Sequence, residues 1–480
     1  MKLKKLLASI LCVAMVLSTM GTVVFAEDGY VAKVGDDVYK TLVEAIVAAN
    51  PGDTVTVIND VSDEAVSVTK NITLTSDVSN KATLNNVVLT MNGTTVELTV
   101  SNLKFTGSSY INANDGAALT VTNCEADVNP TKITGRAAFI VVGTGEPTHG
   151  LKLVVTDNTI LSAQSSTDFY SAAIFGWRYL ADGTNISNNI FGSESTPYCF
   201  VTIKLMNAMN NATFTLKNNT VYGSNKNWKY WAFDLYQNCS RDNTYTVISE
   251  ENKVIINLSG DNNVAAFYLE GKGGTNLIML DSGTTVNGKA LTMDDVNASG
   301  LPENYDKFYG INVTLDENGK IISGILSSTP GEEYVAEGYE AIKNADGTYT
   351  VAEASIWTTD SDAGFYYTGE TKYGMMRFLF KADITDTVTE VGIKYINEKN
   401  IFDNVTGESA TGAAPITKTG DIKAFYGDIV NIPEKTQGKY YAAAYVKTEK
   451  EIIWSDIVNC SINWTQQFAN YRPTTTGGAE

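Results

Sequence analysis

Along most of the chain, apolar and polar residues alternate with a period of two: Val55/Val57, Val66/Val68, Ile72/Leu74 and Leu98/Val100 each flank a polar residue. That period predicts strands buried on one face. One segment departs from it. Thr41-Leu42-Val43-Glu44 has the form of a capping box, and Leu42, Ala45, Ile46 and Ala49 follow at helical spacing until Asn50-Pro51-Gly52 interrupts. A short amphipathic helix is expected there, followed by β structure throughout.

A degenerate triplet recurs between residues 100 and 250, an aliphatic residue followed two places later by Asn, Asp or Glu. It is seen at Val100-Ser101-Asn102, Val121-Thr122-Asn123, Val155-Thr156-Asp157, Ile186-Ser187-Asn188, Leu216-Lys217-Asn218 and Ile248-Ser249-Glu250. The steps are 21, 34, 31, 30 and 32 residues. Recurrence at that interval predicts a solenoid whose coils stack over one shared core. Asn and Asp suit the coil corners because they tolerate a left-handed backbone, and stacked amides can bond from coil to coil.

A second column predicts two faces. When the segments beginning at Ala137, Ala172, Cys199, Trp231 and Ala265 are aligned, Phe139, Ile174, Val201, Phe233 and Phe267 share one position. Val141, Gly176, Ile203, Leu235 and Leu269 share another, and both positions should face inward. The intervening positions hold Ile140, Phe175, Thr202, Asp234 and Tyr268, then Val142, Trp177, Lys204, Tyr236 and Glu270, and should face outward.

The paired corner asparagines in Ile186-Ser187-Asn188-Asn189-Ile190 and Leu216-Lys217-Asn218-Asn219-Thr220-Val221 resemble those of the right-handed parallel β-helix in the pectate-lyase-like superfamily. The opening Tyr39 to Ile46, with Gly52-Asp53-Thr54-Val55-Thr56-Val57, is similar to the capping start of β-helix domains in secreted surface proteins of clostridia-like gut bacteria. The resemblance spans roughly residues 30 to 325 and implies a fold more than a function, because that superfamily includes lyases, hydrolases and adhesins.

The expected fold class is all-β: a right-handed parallel β-helix over 27–326 with its short N-terminal capping helix, then an antiparallel β-sandwich over 334–472. Ser327 to Glu333 reads as the linker and 473–480 as a tail. Asp346-Gly347 signals a tight hairpin, and Met376–Phe380, Val391–Tyr395 and Tyr440–Val446 read as strands of a module resembling immunoglobulin-like or fibronectin-type domains.

Lys2, Lys4 and Lys5, the apolar run from Leu6 to Leu17, and Val24-Phe25-Ala26 read as an export signal over 1–26, so an extracellular or cell-surface location is expected. No later apolar run is long enough for a membrane span, and no wall-sorting motif follows the tail. Net charge is 35 − 54 = −19, and −22 without the leader's three lysines, which disfavours nucleic acid as a partner. With one histidine, His149, in a turn, histidine triads and His-rich metal sites are not expected. Asp360-Ser361-Asp362-Ala363-Gly364 is only a fragment of an acidic calcium loop. No cofactor is therefore assigned. Cys124, Cys199, Cys239 and Cys460 form no disulfide framework.

The strongest chemical signal is aromatic. Trp177, Tyr179, Trp228, Tyr230, Tyr236 and Tyr268 fall on or beside the expected outer face, with Phe175 in the same strip. Such rings either stack on sugars, assisted by Lys204, Asp234 and Glu270, or are covered by the chain itself. Binding or adhesion, to polysaccharide or a cell-surface glycan, is the leading expectation. The rival is a polysaccharide lyase or hydrolase using Asp234, Glu270 and Lys204, the two acids being diagonal neighbours in the expected register.

Overall fold

The computed structural model describes residues 29–129, 137–143, 150–162, 171–177, 179–226, 229–237, 243–258, 263–271, 275–300, 308–354, 357–384, 386–397, 408–409, 414–419, 422–435 and 438–468. The expected leader, His149, Trp228, Cys239 and the tail lie outside the described residues. The first compact unit ends at Ala352 and the second begins at Glu353.

The helix forms where its capping signal stands, over Leu42–Ala48. The Thr41 side chain accepts from the Glu44 N–H, and the Glu44 carboxylate accepts from the Thr41 N–H in return. Glu64, from the first coil, accepts from the N–H groups of Leu42 and Val43, while Lys70 donates to the carbonyls of Val47 and Ala49. Both helix ends, which cannot satisfy their own backbone groups, are thus tied to the coil they cover. Leu42, Ala45 and Ile46 close the end of the core.

Beyond the helix the chain winds as a parallel β-solenoid. Each coil contributes to three parallel ladders. The first passes through Glu97–Ser101, Ala118–Thr122, Lys152–Thr156, Thr184–Ser187, Ala212–Lys217, Asn243–Glu250 and Thr275–Ser282. The second includes Lys104–Gly107, Glu125–Val128 and Thr159–Ser162, and the third Tyr110–Ala113, Ala137–Val142 and Ser171–Gly176. Val100, Val121, Val155, Ile186 and Leu216 stack in one fully buried column.

The triplet corner is built from two residues with different duties. Asn102, Asn123, Asp157, Asn188, Asn218 and Glu251 have left-handed backbones, φ between 51° and 60°. Their N–H groups continue the ladder to the next coil, as from Asn188 to the Lys217 carbonyl at 2.9 Å. The left-handed residue of the last triplet is Glu251, not Glu250, because Glu250 pairs with Lys217 one position earlier. The residue after each corner turns inward, which sets Asn158, Asn189, Asn219 and Asn252 in a buried stack. Asn158 Oδ1 accepts from the Cys124 N–H at 2.8 Å, each later Oδ1 accepts from the preceding coil's asparagine, Asn189 Nδ2 to Asn219 Oδ1 at 3.0 Å, and each Nδ2 also donates to a carbonyl of the coil before, Asn219 Nδ2 to Ile186 O at 2.8 Å.

This stack ends in a polar cluster. Asn252 Nδ2 donates to Ser249 Oγ at 3.0 Å, and Ser249 Oγ donates to Asp281 Oδ2 at 2.6 Å, which also takes the Thr284 hydroxyl at 2.5 Å. Ser249 and Asp281 continue the inward column in which earlier coils place aliphatic residues. Burial raises the Asp281 carboxyl above the ordinary range, against the lowering effect of these hydroxyls.

The solenoid's far end is closed by antiparallel strands rather than by a linker at 327–333. Phe308–Leu315 pairs with Ile321–Leu326, which pairs with Tyr349–Glu353. The hairpin of Tyr339–Lys343 and Tyr349–Glu353 turns at Gly347, φ 90°, as Asp346-Gly347 implied, but it extends the solenoid's sheet. Val313, Ile321, Leu326 and Val351 form its core, so the boundary falls after this cap, at 352.

The second unit is two antiparallel sheets. One contains Trp357–Thr368, Thr371–Asp383, Ile422–Pro433 and Ala414–Thr419; the other contains Glu408–Ser409, Val388–Asn397, Tyr440–Thr448 and Ile452–Trp454. Met376, Phe378 and Phe380 pack with Ile393, Ala442, Ala444 and Val446 between them. Asp360 to Gly364 is extended strand paired with Leu379 to Met375, not a loop.

Two outcomes follow for stability. Asn219→Leu leaves the Asn189 amide and the Ile186 carbonyl without their partner, at about 1–3 kcal/mol for each buried group, whereas Asn218→Gly keeps a left-handed corner and costs little. Urea unfolding should separate the two variants widely. For Asp281, the raised native value means that the folded state favours the protonated acid. Its contribution is present below the unfolded value, about 3.9, and is lost as pH rises through the native one. Unfolding midpoints of Asp281→Asn should therefore gain on wild type as pH rises from about 4, and a constant difference across pH would contradict this.

Candidate functional site

The third ladder carries the residues singled out for chemistry. Ile140, Ile174, Ile203, Phe233 and Phe267 align across successive coils and face the core. The next position holds Val141, Phe175, Lys204, Asp234 and Tyr268, and faces outward. Two corrections to the sequence register follow. Ala137–Val142 slips by one, so that Ile140 and Val142 are inward and Val141 outward. Tyr198–Met206 slips by two, which sets Lys204 opposite Asp234 instead of Tyr236.

A slip of two leaves the alternation unchanged and so escapes it, whereas the exchanged faces have a structural cause. Alternation fails at a bend within each of these strands, where two consecutive residues face inward: Phe139-Ile140, Ala173-Ile174, Ala232-Phe233 and Ala266-Phe267 all belong to the core. Thr202, expected outside, occupies this bend and shares a 2.7 Å hydrogen bond with the buried Tyr230 hydroxyl. Val201, expected inside, packs with the outer cluster. Tyr230 is fully buried, where Gly223 leaves room for its ring, so it belongs to the core and not to the outer strip.

The outer strip is not a row of exposed rings. Phe175 is 0% and Tyr236 7% exposed, packed with Val141, Val201 and Met206 in a cluster separate from the core. Trp177 is half-buried against Phe175, with ring centroids 6.0 Å apart, and Tyr179 is half-buried. Covering apolar rings releases water from them, and here that gain prevails over display. What stays partly open lies around Trp231, Tyr268 and Glu270.

There the surface becomes polar. Lys204 Nζ lies 2.5 Å from Asp234 Oδ2, and the residues are 8% and 2% exposed. Asp234 is opposite Tyr268, and Tyr236 opposite Glu270, so the two acids are diagonal neighbours as the sequence implied. Lys204 also sits 5.1 Å from the Tyr236 ring centre. Burial raises the Asp234 carboxyl, opposed by the charge and hydrogen bond of Lys204.

Two residues of this site were not singled out in the sequence, Lys229 and Trp231. Lys229 Nζ lies 3.8 Å from the Trp231 ring centre, and burial pushes its ammonium down to about 8, countered by the charges of Asp234 and Glu270. Trp231 and Tyr268 stack at 3.6 Å with planes 1° apart. Burial, then the charges of Glu270 and Asp234, push the Tyr268 hydroxyl up to about 12. The sequence signal was the aromatic and basic run Trp228-Lys229-Tyr230-Trp231, in which the bend exchanges the expected faces of neighbours.

Two polar atoms here are buried without a hydrogen-bond partner, the acceptor Asp234 Oδ1 and the donor Trp231 Nε1. Unpaired buried groups of this kind are rare and costly. A hydroxyl group, which both donates and accepts, is the chemical complement of the pair. Among the described residues, no cluster of three or more His, Cys, Asp or Glu is placed to hold a metal ion.

Removing one member of a buried ion pair leaves the other charge uncompensated, typically about 3–5 kcal/mol. Lys204→Met should therefore destabilise more than the double change Lys204→Met with Asp234→Leu, measured by chemical unfolding. A double variant worse than either single change would mean that the pair is not isolated from solvent.

No family model matches the chain, and no curated protein or solved structure is significantly similar to it.

Proposed function

We propose that this is an exported, pectate-lyase-like β-helix protein with an immunoglobulin-like module, of the kind found on clostridia-like bacteria, and that it binds an extended glycan beside Trp231 and Tyr268. The observation that carries the reading is the unpaired donor and acceptor, Trp231 Nε1 and Asp234 Oδ1, next to a stacked aromatic pair. A pyranose offers both complements: a C–H face for the rings and hydroxyls for the polar atoms. The Tyr268 ring now lies flat on the indole. In this reading a sugar takes its place there, one hydroxyl donating to Asp234 Oδ1 and accepting from Trp231 Nε1, with Glu270 bonding a neighbouring hydroxyl. The strip of Phe175, Trp177 and Tyr236 supports the site as packing and does not extend it.

A second reading, a polysaccharide lyase or hydrolase, draws on Lys229. With its value near 8, a substantial fraction is neutral at mildly alkaline pH, and a neutral amine beside two acids can accept a proton.

Retardation of the protein in gels containing soluble polysaccharides tests both readings. For a polysaccharide that retards wild type, Trp231→Ala should weaken binding about tenfold or more, the scale of losing a central aromatic contact, and Asp234→Asn should weaken it less. Unchanged retardation in Trp231→Ala would overturn the site. Cleavage of the polysaccharide, lost in Lys229→Met while retardation persists, would favour the enzyme.

A further inference from the structure

The second unit presents an aromatic pair of its own. On the sheet containing Val388–Asn397, Tyr440–Thr448 and Ile452–Trp454, the residues Ala442, Ala444 and Val446 point into the core, so Ala443, Tyr445 and Lys447 point out. The register sets Gly392, Tyr445 and Trp454 in one row, Glu390, Lys447 and Ile452 in the next, and Lys394 opposite Ala443 on the other side. Trp454 is 47% exposed.

These rings are held in place. Gly392 lies beneath Tyr445, where a Cβ would collide with the phenol ring, so the glycine lets that ring lie down across the neighbouring strand. The Tyr445 hydroxyl donates to Glu390 Oε1 at 2.7 Å, which fixes its far end. Trp454 meets Tyr445 with centroids 5.0 Å apart and planes inclined at 47°, and Lys394 Nζ reaches over the small Ala443 to 5.6 Å from the indole ring. The result is an exposed aromatic surface bordered by Glu390, Lys394 and Lys447.

We infer that this aromatic surface on the sheet containing Tyr440–Thr448 is a separate glycan-binding site, taking one or two pyranose units against Tyr445 and Trp454. The inference borrows only its ligand class from the function proposed above. Two features favour sugar over protein. A large aromatic side chain buries about 150–250 Å², so two of them fall well short of the roughly 800 Å² per partner of a stable protein interface. The charges beside the rings, with Lys447 Nζ 3.9 Å from Glu390 Oε2, offer donors and acceptors at close range to the hydroxyls of a neutral sugar.

The test uses the full chain in gels containing xylan, β-1,3-glucan or polygalacturonate, with sedimentation run in parallel. At least one of these should retard wild type. Trp454→Ala should weaken that interaction about tenfold, which equals roughly 1.4 kcal/mol, and Gly392→Val, which lifts Tyr445 without touching Trp454, should do the same. Lys447→Ala should have a smaller effect. Comparison with Trp231→Ala separates the two sites. Loss in Trp454→Ala with none in Trp231→Ala keeps this inference and defeats the solenoid site, and the opposite pattern defeats this one. Wild type that none of the three polysaccharides retards, or a dimer that Trp454→Ala dissolves, would also overturn it.

Discussion

The solenoid depends on how it satisfies backbone groups at a corner too tight for the ladder to do so alone. Each coil must turn sharply after its first strand, and a turn in the interior would strand carbonyls and N–H groups away from water. The Asn158–Asn189–Asn219–Asn252 stack answers this with one side chain per coil. Each amide takes hydrogen bonds from the coil before and returns one to its carbonyl. The adjacent left-handed residues supply the change of direction. A register slip between coils would break this stack throughout, so the same bonds that close the corner also hold the coils in step. With that alignment fixed, the inward aliphatic columns coincide, and so do the outward positions from which Lys204, Asp234 and Tyr268 form one cluster.

The third ladder adds a bend to this frame, and the candidate site follows from it. Two successive inward residues at the bend invert the expected faces of those before it, which brings Trp231 outside and Thr202 inside. Along the same outward position the coils progress from Val141 and Phe175, through the Lys204–Asp234 pair, to Tyr268. The apolar part is sealed and the charged part is buried but incompletely bonded. Only the last part is partly open to solvent. Two of the buried polar atoms without a hydrogen-bond partner, Asp234 Oδ1 and Trp231 Nε1, lie beside this boundary between sealed and open surface.

The sequence showed the architecture more clearly than the site, for a physical reason. Corner asparagines must recur because every coil faces the same backbone problem, so Asn188-Asn189 and Asn218-Asn219 announce both the repeat and its interval. The capping box at Thr41 and Glu44 and the hairpin at Asp346-Gly347 are local and were equally plain. Strand alternation, by contrast, says only that neighbours face opposite ways. It is blind to a slip of two residues, which misplaced Lys204, and it fails where a strand bends, which misplaced Ile140, Val201, Thr202 and Tyr230. The burial of Phe175 and Tyr236 depends on what the folded chain lays over them, and no periodic pattern records that. The domain boundary was set too early because loop-forming residues at Ser327–Glu333 mark a turn inside the solenoid's cap as readily as a junction.

The account's central claim is that the inward asparagine amides are structural bonds of the coil stack. Hydrogen exchange of side-chain amides, followed by NMR on protein labelled with ¹⁵N-asparagine, tests it most directly. The NH₂ groups of Asn158, Asn189, Asn219 and Asn252 should exchange as slowly as the best-protected backbone amides of the first ladder, because they are released only when coils separate. Those of Asn188 and Asn218, at the outward half of the same corners, should exchange fast. Equal exchange in the two sets would mean that the stack does not hold the coils together.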